Sequence, residues 1–199
     1  VFDFNACSRN GCLKEAWAGS EFCKKHHPNA AGYQAELIDG IFKSKEKIEG
    51  RDLSGITLFD TNFEGFSFTF CRFTGAVFSH VSFRSTRLFM CLLDDISAAD
   101  CDFKASKMMS VIAAGSDFSS ASFAGSNLIN VNFNGIKGDF AIFDESDLFS
   151  SRFIAASLSS AQFRDCNLSH VDFTNARLQN ANFSDSNPNE TYLMRKPIQ

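Results

Sequence analysis

The residues best suited to chemistry lie near the start of the chain. Cys7, Cys12 and Cys23 are followed by His26 and His27, in the pattern C-x4-C-x10-C-x2-H. Thiolates and an imidazole at such spacing can close a tetrahedron around Zn²⁺; otherwise they are loose thiols in a frayed terminus. Gly11, before the second cysteine, permits a tight knuckle. Trp17 and Phe22 supply a minimal core, which a fragment this short cannot stabilise without a metal. A closed four-ligand set predicts a structural zinc, not a catalytic one. Lys14, Lys24 and Lys25 would suit nucleic acid, but Glu15 and Glu21 stand beside them, and a solvated surface is the simpler reading.

Signs of catalysis are poor. His80 and His170 fall at outward turn positions in different columns of the repeat described below, and no nucleophile has a nearby base. There is no Gly-rich phosphate loop. Asp residues are plentiful, but regular solvent-facing Asp and Asn are what a turn-rich repeat requires. The expectation is a protein that is not an enzyme.

The elements that must carry these residues follow from one period. From residue 53 to residue 183 every fifth position, 27 in all, is Phe (fourteen) or Leu (nine), apart from Met108, Ala98, Ala113 and Gly138. Two residues before each centre the side chain is usually small or β-branched, as at Ala76, Val81, Ala121 and Val171. Five is neither the two of a flat strand nor the 3.6 of a helix. It fits a coil of short straight sides joined by turns, with two of five side chains pointing in, one large and one small, so that layers interdigitate.

Segments such as Ala161-Gln162-Phe163-Arg164-Asp165 and Ala181-Asn182-Phe183-Ser184-Asp185 resemble the pentapeptide repeat, A-(D/N)-(L/F)-x-x. The resemblance implies an all-β solenoid, a right-handed quadrilateral β-helix with twenty residues per coil. That makes about seven coils and roughly 30 Å of rod at the usual strand spacing. The N-terminal stretch is similar to small Cys3His knuckles of the form C-x4-C…C-x2-H. In that comparison Cys7, Cys12, Cys23 and His26 are the ligands, with His27 as the alternative fourth.

These readings divide the chain into a zinc knuckle (1–28), a helical N-terminal cap (29–50), the β-helix (51–185) and a C-terminal tail or lid (186–199). In the cap, Asn29 is an N-cap and Tyr33, Leu37, Ile38, Ile41, Phe42 and Ile48 recur at helical spacing, weakened at Gly40 and stopped by Gly50. It would cover the open first coil, whose exposed edge otherwise invites aggregation. In the tail, Tyr192, Leu193 and Met194 could fold over the last coil. Cys71, Cys91, Cys101 and Cys166 fall at the small inward position and serve as small hydrophobes, which favours a reducing, cytoplasmic compartment. The start at Val1 rather than Met leaves room for a removed leader, so export stays open. No apolar run approaches a membrane span.

Outward positions sort into columns twenty residues apart. One column reads Thr69, Phe89, Met109, Ile129, Phe149, Ser169, flanked by Phe70 and Met90 and, across the next turn, by Leu92 and Ile112. A contiguous apolar patch of this kind marks an interaction surface, and Arg84, Arg87, Lys104 and Lys107 border it. A homodimer is the economical form. Ala98 and Gly138, weak centres on one side with Phe118 between them, either leave cavities, make a bulge or make room for that Phe.

Two function classes follow. One is a protein-interaction scaffold that binds itself or a protein partner through the stripe. The alternative, implied by the family, is a DNA-mimicking modulator of DNA gyrase or another type II topoisomerase, as in quinolone resistance. Net charge is −4 for 199 residues, so direct binding of nucleic acid is not expected, nor is a membrane partner. Residues 51–185 hold fifteen Asp/Glu against ten Lys/Arg, a mild excess where a DNA mimic needs a dense one-signed field.

Overall fold

Each five-residue unit makes one side of a four-sided coil, so residues twenty apart lie one above another. The structure, a computed structural model, describes residues 5–44 and 46–187. Parallel pairing at that separation runs from Lys47 with Ser67 to Gln162 with Asn182. Where three consecutive residues form a ladder the sides become strands: β1 (Lys47–Glu49), β2 (Thr57–Phe59), β3 (Ser67–Thr69), β4 (Val77–Ser79), β5 (Arg87–Phe89) and β6 (Lys107–Met109). One sheet has the order β1-β3-β5-β6 and another pairs β2 with β4.

The core is the set of repeat centres. On one side the centres are all Phe, and their rings stack coil upon coil. Phe83 and Phe103 lie 4.8 Å apart at 3°, and Phe123 and Phe143 lie 5.0 Å apart at 1°. The strand spacing is itself about 4.8 Å, so one ring per coil fills the column without a gap. The inward positions two residues before the centres are mostly Ala, Val, Cys, Ser or Thr, with the buried Ile56, Ile96 and Ile136 and the larger Phe66 as exceptions. Most of the hydroxyls donate to the carbonyl 23 residues earlier, as Thr86 does to Phe63 (2.9 Å) and Ser126 to Phe103 (2.9 Å), while Ser106 donates to Ser126 Oγ at 3.3 Å. Their burial therefore leaves no unpaired donor. Cys71, Cys91, Cys101 and Cys166 are buried free thiols, and burial pushes Cys166 up to about 11.

Two residues after each centre the chain turns with φ near +60°, from Gly55 to Asp185. Gly, Asn, Asp and Ser dominate there because the left-handed region costs a side chain with a bulky Cβ environment about 1–2 kcal/mol. Gly138 makes no bulge: its N–H bonds Ser157 at 2.7 Å, and its neighbours Lys137 and Ser157 keep register. A Cβ there would meet Leu158 Cδ2 at 3.0 Å and Ile136 Cδ1 at 3.3 Å, so neighbouring side chains fill the space.

At the N-terminal end α1 (Ala30–Lys43) is capped by Asn29, whose Oδ1 accepts from the Gly32 N–H at 3.0 Å. One helix runs through Gly40 and stops at Lys43, shorter than the helical spacing to Ile48 predicts. Ile48 lies five residues before Leu53, in the frame of the repeat, and is buried on β1 beneath Phe68. Gly50, at φ +62°, is accordingly a coil turn and not the helix stop. Ile41 joins the solenoid core, Leu37 and Ile38 pack against it, and Phe42 stacks on Phe63 at 5.7 Å. The helix thus covers the first coil. The lid expected of Tyr192, Leu193 and Met194 lies outside the described residues.

Candidate functional site

The knuckle is a short antiparallel turn. Ala6 pairs with Glu15, the Cys7 N–H bonds Lys14 O at 2.9 Å, and Gly11 takes φ +74° at the tip. A second turn, with the N–H groups of His26 and His27 on Cys23 O, brings Cys23 and His26 back to the first. The ligating atoms of Cys7, Cys12, Cys23 and His26 all lie within 4.8 Å of one another. Cys12 and Cys23 sulfurs are 3.9 Å apart, and His26 Nδ1 is 3.5 Å from both Cys7 and Cys23 Sγ. A tetrahedral Zn²⁺ with ordinary bond lengths sets sulfur pairs about 3.8 Å and sulfur–nitrogen pairs about 3.6 Å apart, so the donor set has the size of that ion. His27 stands apart, its ring stacked on Tyr33 at 4.7 Å and its Nδ1 accepting from the Asn29 N–H.

The electrostatics suit a cation. Burial opposes ionisation of Cys7, but the backbone N–H groups of Cys23 and Arg9 and the His26 ring favour the thiolate and bring it down to about 6. Cys12 moves the other way. The Lys14 N–H lowers it, yet burial and the adjoining Cys7 and Cys23 sulfurs outweigh that bond and raise it. Three crowded sulfurs repel one another once charged, and a divalent ion among them removes that cost.

The knuckle is joined to the rod by contacts of large sequence separation. Trp17 is buried, donates from Nε1 to Ser54 O at 2.7 Å, and meets His27 and Tyr33 edge-on. Lys24 lies 5.1 Å above the Trp17 ring and donates to Gly55 O at 2.8 Å. Buried Arg72 grips both Glu15 oxygens, with Asp52 3.5 Å away and Thr74 on its Nε. Trp17 is therefore a joint between two parts as well as the core of one. The Arg72–Glu15 pair was not legible in the sequence, since Arg72 occupies an ordinary outward position of the repeat.

The outward columns emerge on the β1-β3-β5-β6 face and the rungs that continue it, and Leu92 and Ile112 lie on the adjoining side across the next turn. Phe70, Phe89, Met90, Met109, Ile112 and Phe149 are between 40% and 48% exposed, while Leu92 and Ile129 are half-buried. Phe70 and Phe89 meet edge-on at 5.9 Å, and Phe149 meets His170 at 5.5 Å. A shallow groove of about 350 Å³ runs over Phe89 and Met109 between Arg87 and Lys107. Those two cations, Lys104 and Arg84 are exposed, and Arg84 is also paired with Asp102 at 3.1 Å. Sequence reading passed over Phe59 and Phe140, 65% and 63% exposed on another side. Each stands singly in a polar column, which is why no stripe signalled them.

Comparison with known proteins bears on the repeat fold of the rod. A search of curated protein sequences found no match. Among solved structures, a trypsin-treated variant of QnrB1, a plasmid-mediated fluoroquinolone resistance protein, matches at 22% identity with a TM-score of 0.64. The match covers 76% of this chain and 78% of that one, and it shows the shared fold. HetL, a pentapeptide repeat protein involved in heterocyst differentiation regulation from the cyanobacterium Nostoc sp. strain PCC 7120, matches at 14% identity with a TM-score of 0.28, over 83% and 98% of the two chains. No helix among the described residues is long and apolar enough to cross a membrane. The profile of the pentapeptide repeats matches in eight copies over residues 52–88, 116–153 and 156–187. With twenty-residue pairing throughout and more than half the chain matched, the protein belongs to the pentapeptide repeat family.

Proposed function

We propose that this protein is a non-enzymatic interaction scaffold, a β-helical rod that binds itself or a protein partner through the apolar face described above. The observation that carries the reading is the exposure of six large apolar side chains in adjoining columns of one region. Two of them, Phe70 and Met90, occupy turn positions at φ +53° and +51°, where Gly or Asn would be cheaper. Side chains that are both exposed and strained cost stability, which favours a role outside folding. The test is Phe89→Asp and Met109→Ser, with assembly measured by light scattering and partner capture measured with the rod as bait. Folded variants that lose assembly or capture support the reading; unchanged assembly and capture refute it.

We infer further that Cys7, Cys12, Cys23 and His26 hold a structural Zn²⁺. When bound, the ion would neutralise the thiolates and tie the two turns of the knuckle together. Metal analysis should find one zinc per chain, lost in Cys23→Ser. A metal-free chain with Trp17 still buried would overturn the assignment. The buried free thiols of the rod suit a reducing compartment such as the cytoplasm.

A second reading is imitation of duplex DNA toward a type II topoisomerase, favoured by the net −5 of residues 51–185. Against it, Asp52, Asp102, Asp117 and Asp144 are paired with Arg72, Arg84, Lys137 and Arg164, and the acids are spread over all four sides. The resulting field is weaker than the residue count suggests. Inhibition of gyrase supercoiling at near-equal amounts of protein would make this the better reading.

A further inference from the structure

The charges beside the apolar face are ordered along the rod. One residue before each centre the column runs Ser67, Arg87, Lys107, Asn127, Asp147, Asn167, so cations stand toward the N-terminal coils and an anion toward the C-terminal ones. Two residues on, Phe89, Met109, Ile129 and Phe149 occupy the same rungs. Arg87 and Lys107 are exposed and make no ion pair among the described residues.

From this order we propose that the occupant of the face is a second copy of the chain, packed antiparallel about a two-fold axis that lies along the strand direction between the rungs of Met109 and Ile129. The proposal rests on the reading of this face as an interface. Both copies carry rungs about 4.8 Å apart, so flat faces can register rung on rung. The two-fold axis that reverses rung order keeps each column over itself. Phe89 then meets Phe149 of the other copy, Met109 meets Ile129, and Arg87 meets Asp147. Lys107 faces Asn127, one rung from the opposing Asp147. The other in-plane axis, along the rod, sets each rung against itself and gathers four cations at one end of the interface. Charge complementarity therefore selects the antiparallel arrangement.

A single face of this length covers on the order of 1,000 Å² in total, at the small end for specific complexes. Self-association is accordingly expected at micromolar concentration.

The experiment is sedimentation equilibrium of the full chain at micromolar to sub-millimolar concentration, with circular dichroism as the check on folding. Arg87→Glu and Asp147→Lys should each weaken the dimer about tenfold or more, because each alteration occurs twice per interface. The double variant should restore association to within about threefold of wild type, since it recreates both pairs with their signs exchanged. Asp147 accepts from the Phe149 N–H at 3.2 Å, so Asp147→Asn, which keeps an acceptor oxygen, checks that the charge and not the turn is responsible. It too should weaken the dimer. A wild-type dimer that Phe89→Asp dissociates, but that the charge variants leave intact, would overturn the antiparallel pairing while the interface reading stands. A dimer indifferent to Phe89→Asp would overturn both. A wild-type monomer at every concentration would overturn self-pairing and leave the face to a different protein.

Discussion

Glu15→Gln tests how the knuckle is held to the rod. It removes the charge that Arg72 grips with both terminal nitrogens, on a guanidinium whose side chain is only 7% exposed. Breaking a fully buried ion pair costs about 3–5 kcal/mol because the survivor is left uncompensated. Here Asp52 remains beside Arg72 and the Glu15 side chain is 38% exposed, so solvent screens part of the loss. The expected cost is about 1–2 kcal/mol. The chain has a single tryptophan, Trp17, and it lies at this joint, so its fluorescence reports docking of the knuckle while circular dichroism reports the coils. With a urea dependence of about 1 kcal/mol/M for so small a unit, the fluorescence midpoint should fall by about 1 M or more. The dichroism midpoint should move much less. A fluorescence midpoint unchanged within error, or two probes that shift together, would refute the idea of a separately releasable knuckle held by this pair.

Phe123→Ala removes a fully buried ring stacked on Phe103 and Phe143 and should cost about 3–5 kcal/mol by chemical denaturation. Phe183→Ala, at the half-buried end of the same column, should cost clearly less in the same assay. Ser126→Ala deletes the hydroxyl that donates to Phe103 O and accepts from the Ser106 N–H, and should cost about 1–3 kcal/mol. Phe140→Ser lies off the apolar face, and light scattering should show assembly unchanged where Phe89→Asp reduces it.

The fold was legible because the repeat is local: a large residue every fifth position forces the turns, and the turns force twenty-residue stacking. The same rule assigns Ile48 to the first coil, yet its apolar neighbours at helical spacing masked the frame there. The Cys3His cluster was legible because Cys and His are scarce and closely spaced, and the geometry sets His26 within it and His27 outside, which spacing alone does not. The joint was illegible for a different reason. Trp17 with Ser54 and Glu15 with Arg72 are separated by 37 and 57 residues, and nothing in either local pattern signals the other. Gly138 looked like a flaw in the repeat, whereas Leu158 and Ile136 lean into its place.

The five-residue side has a consequence for how such a chain can change. Loss or gain of one unit preserves the inward-outward pattern of every later unit, yet all later columns, inner and outer, advance by a quarter turn. Removal of one unit between Met109 and Ile129 would leave Phe89 and Met109 on one flank and carry Ile129 and Phe149 to the next, splitting the stripe, and it would set Leu128 above Phe103, ending the unbroken ring column there. Removal of four units would shorten the rod and keep every column aligned. Insertions and deletions in this architecture thus act as a dial, set in steps of one side, that turns the surface columns and the stacked centres together.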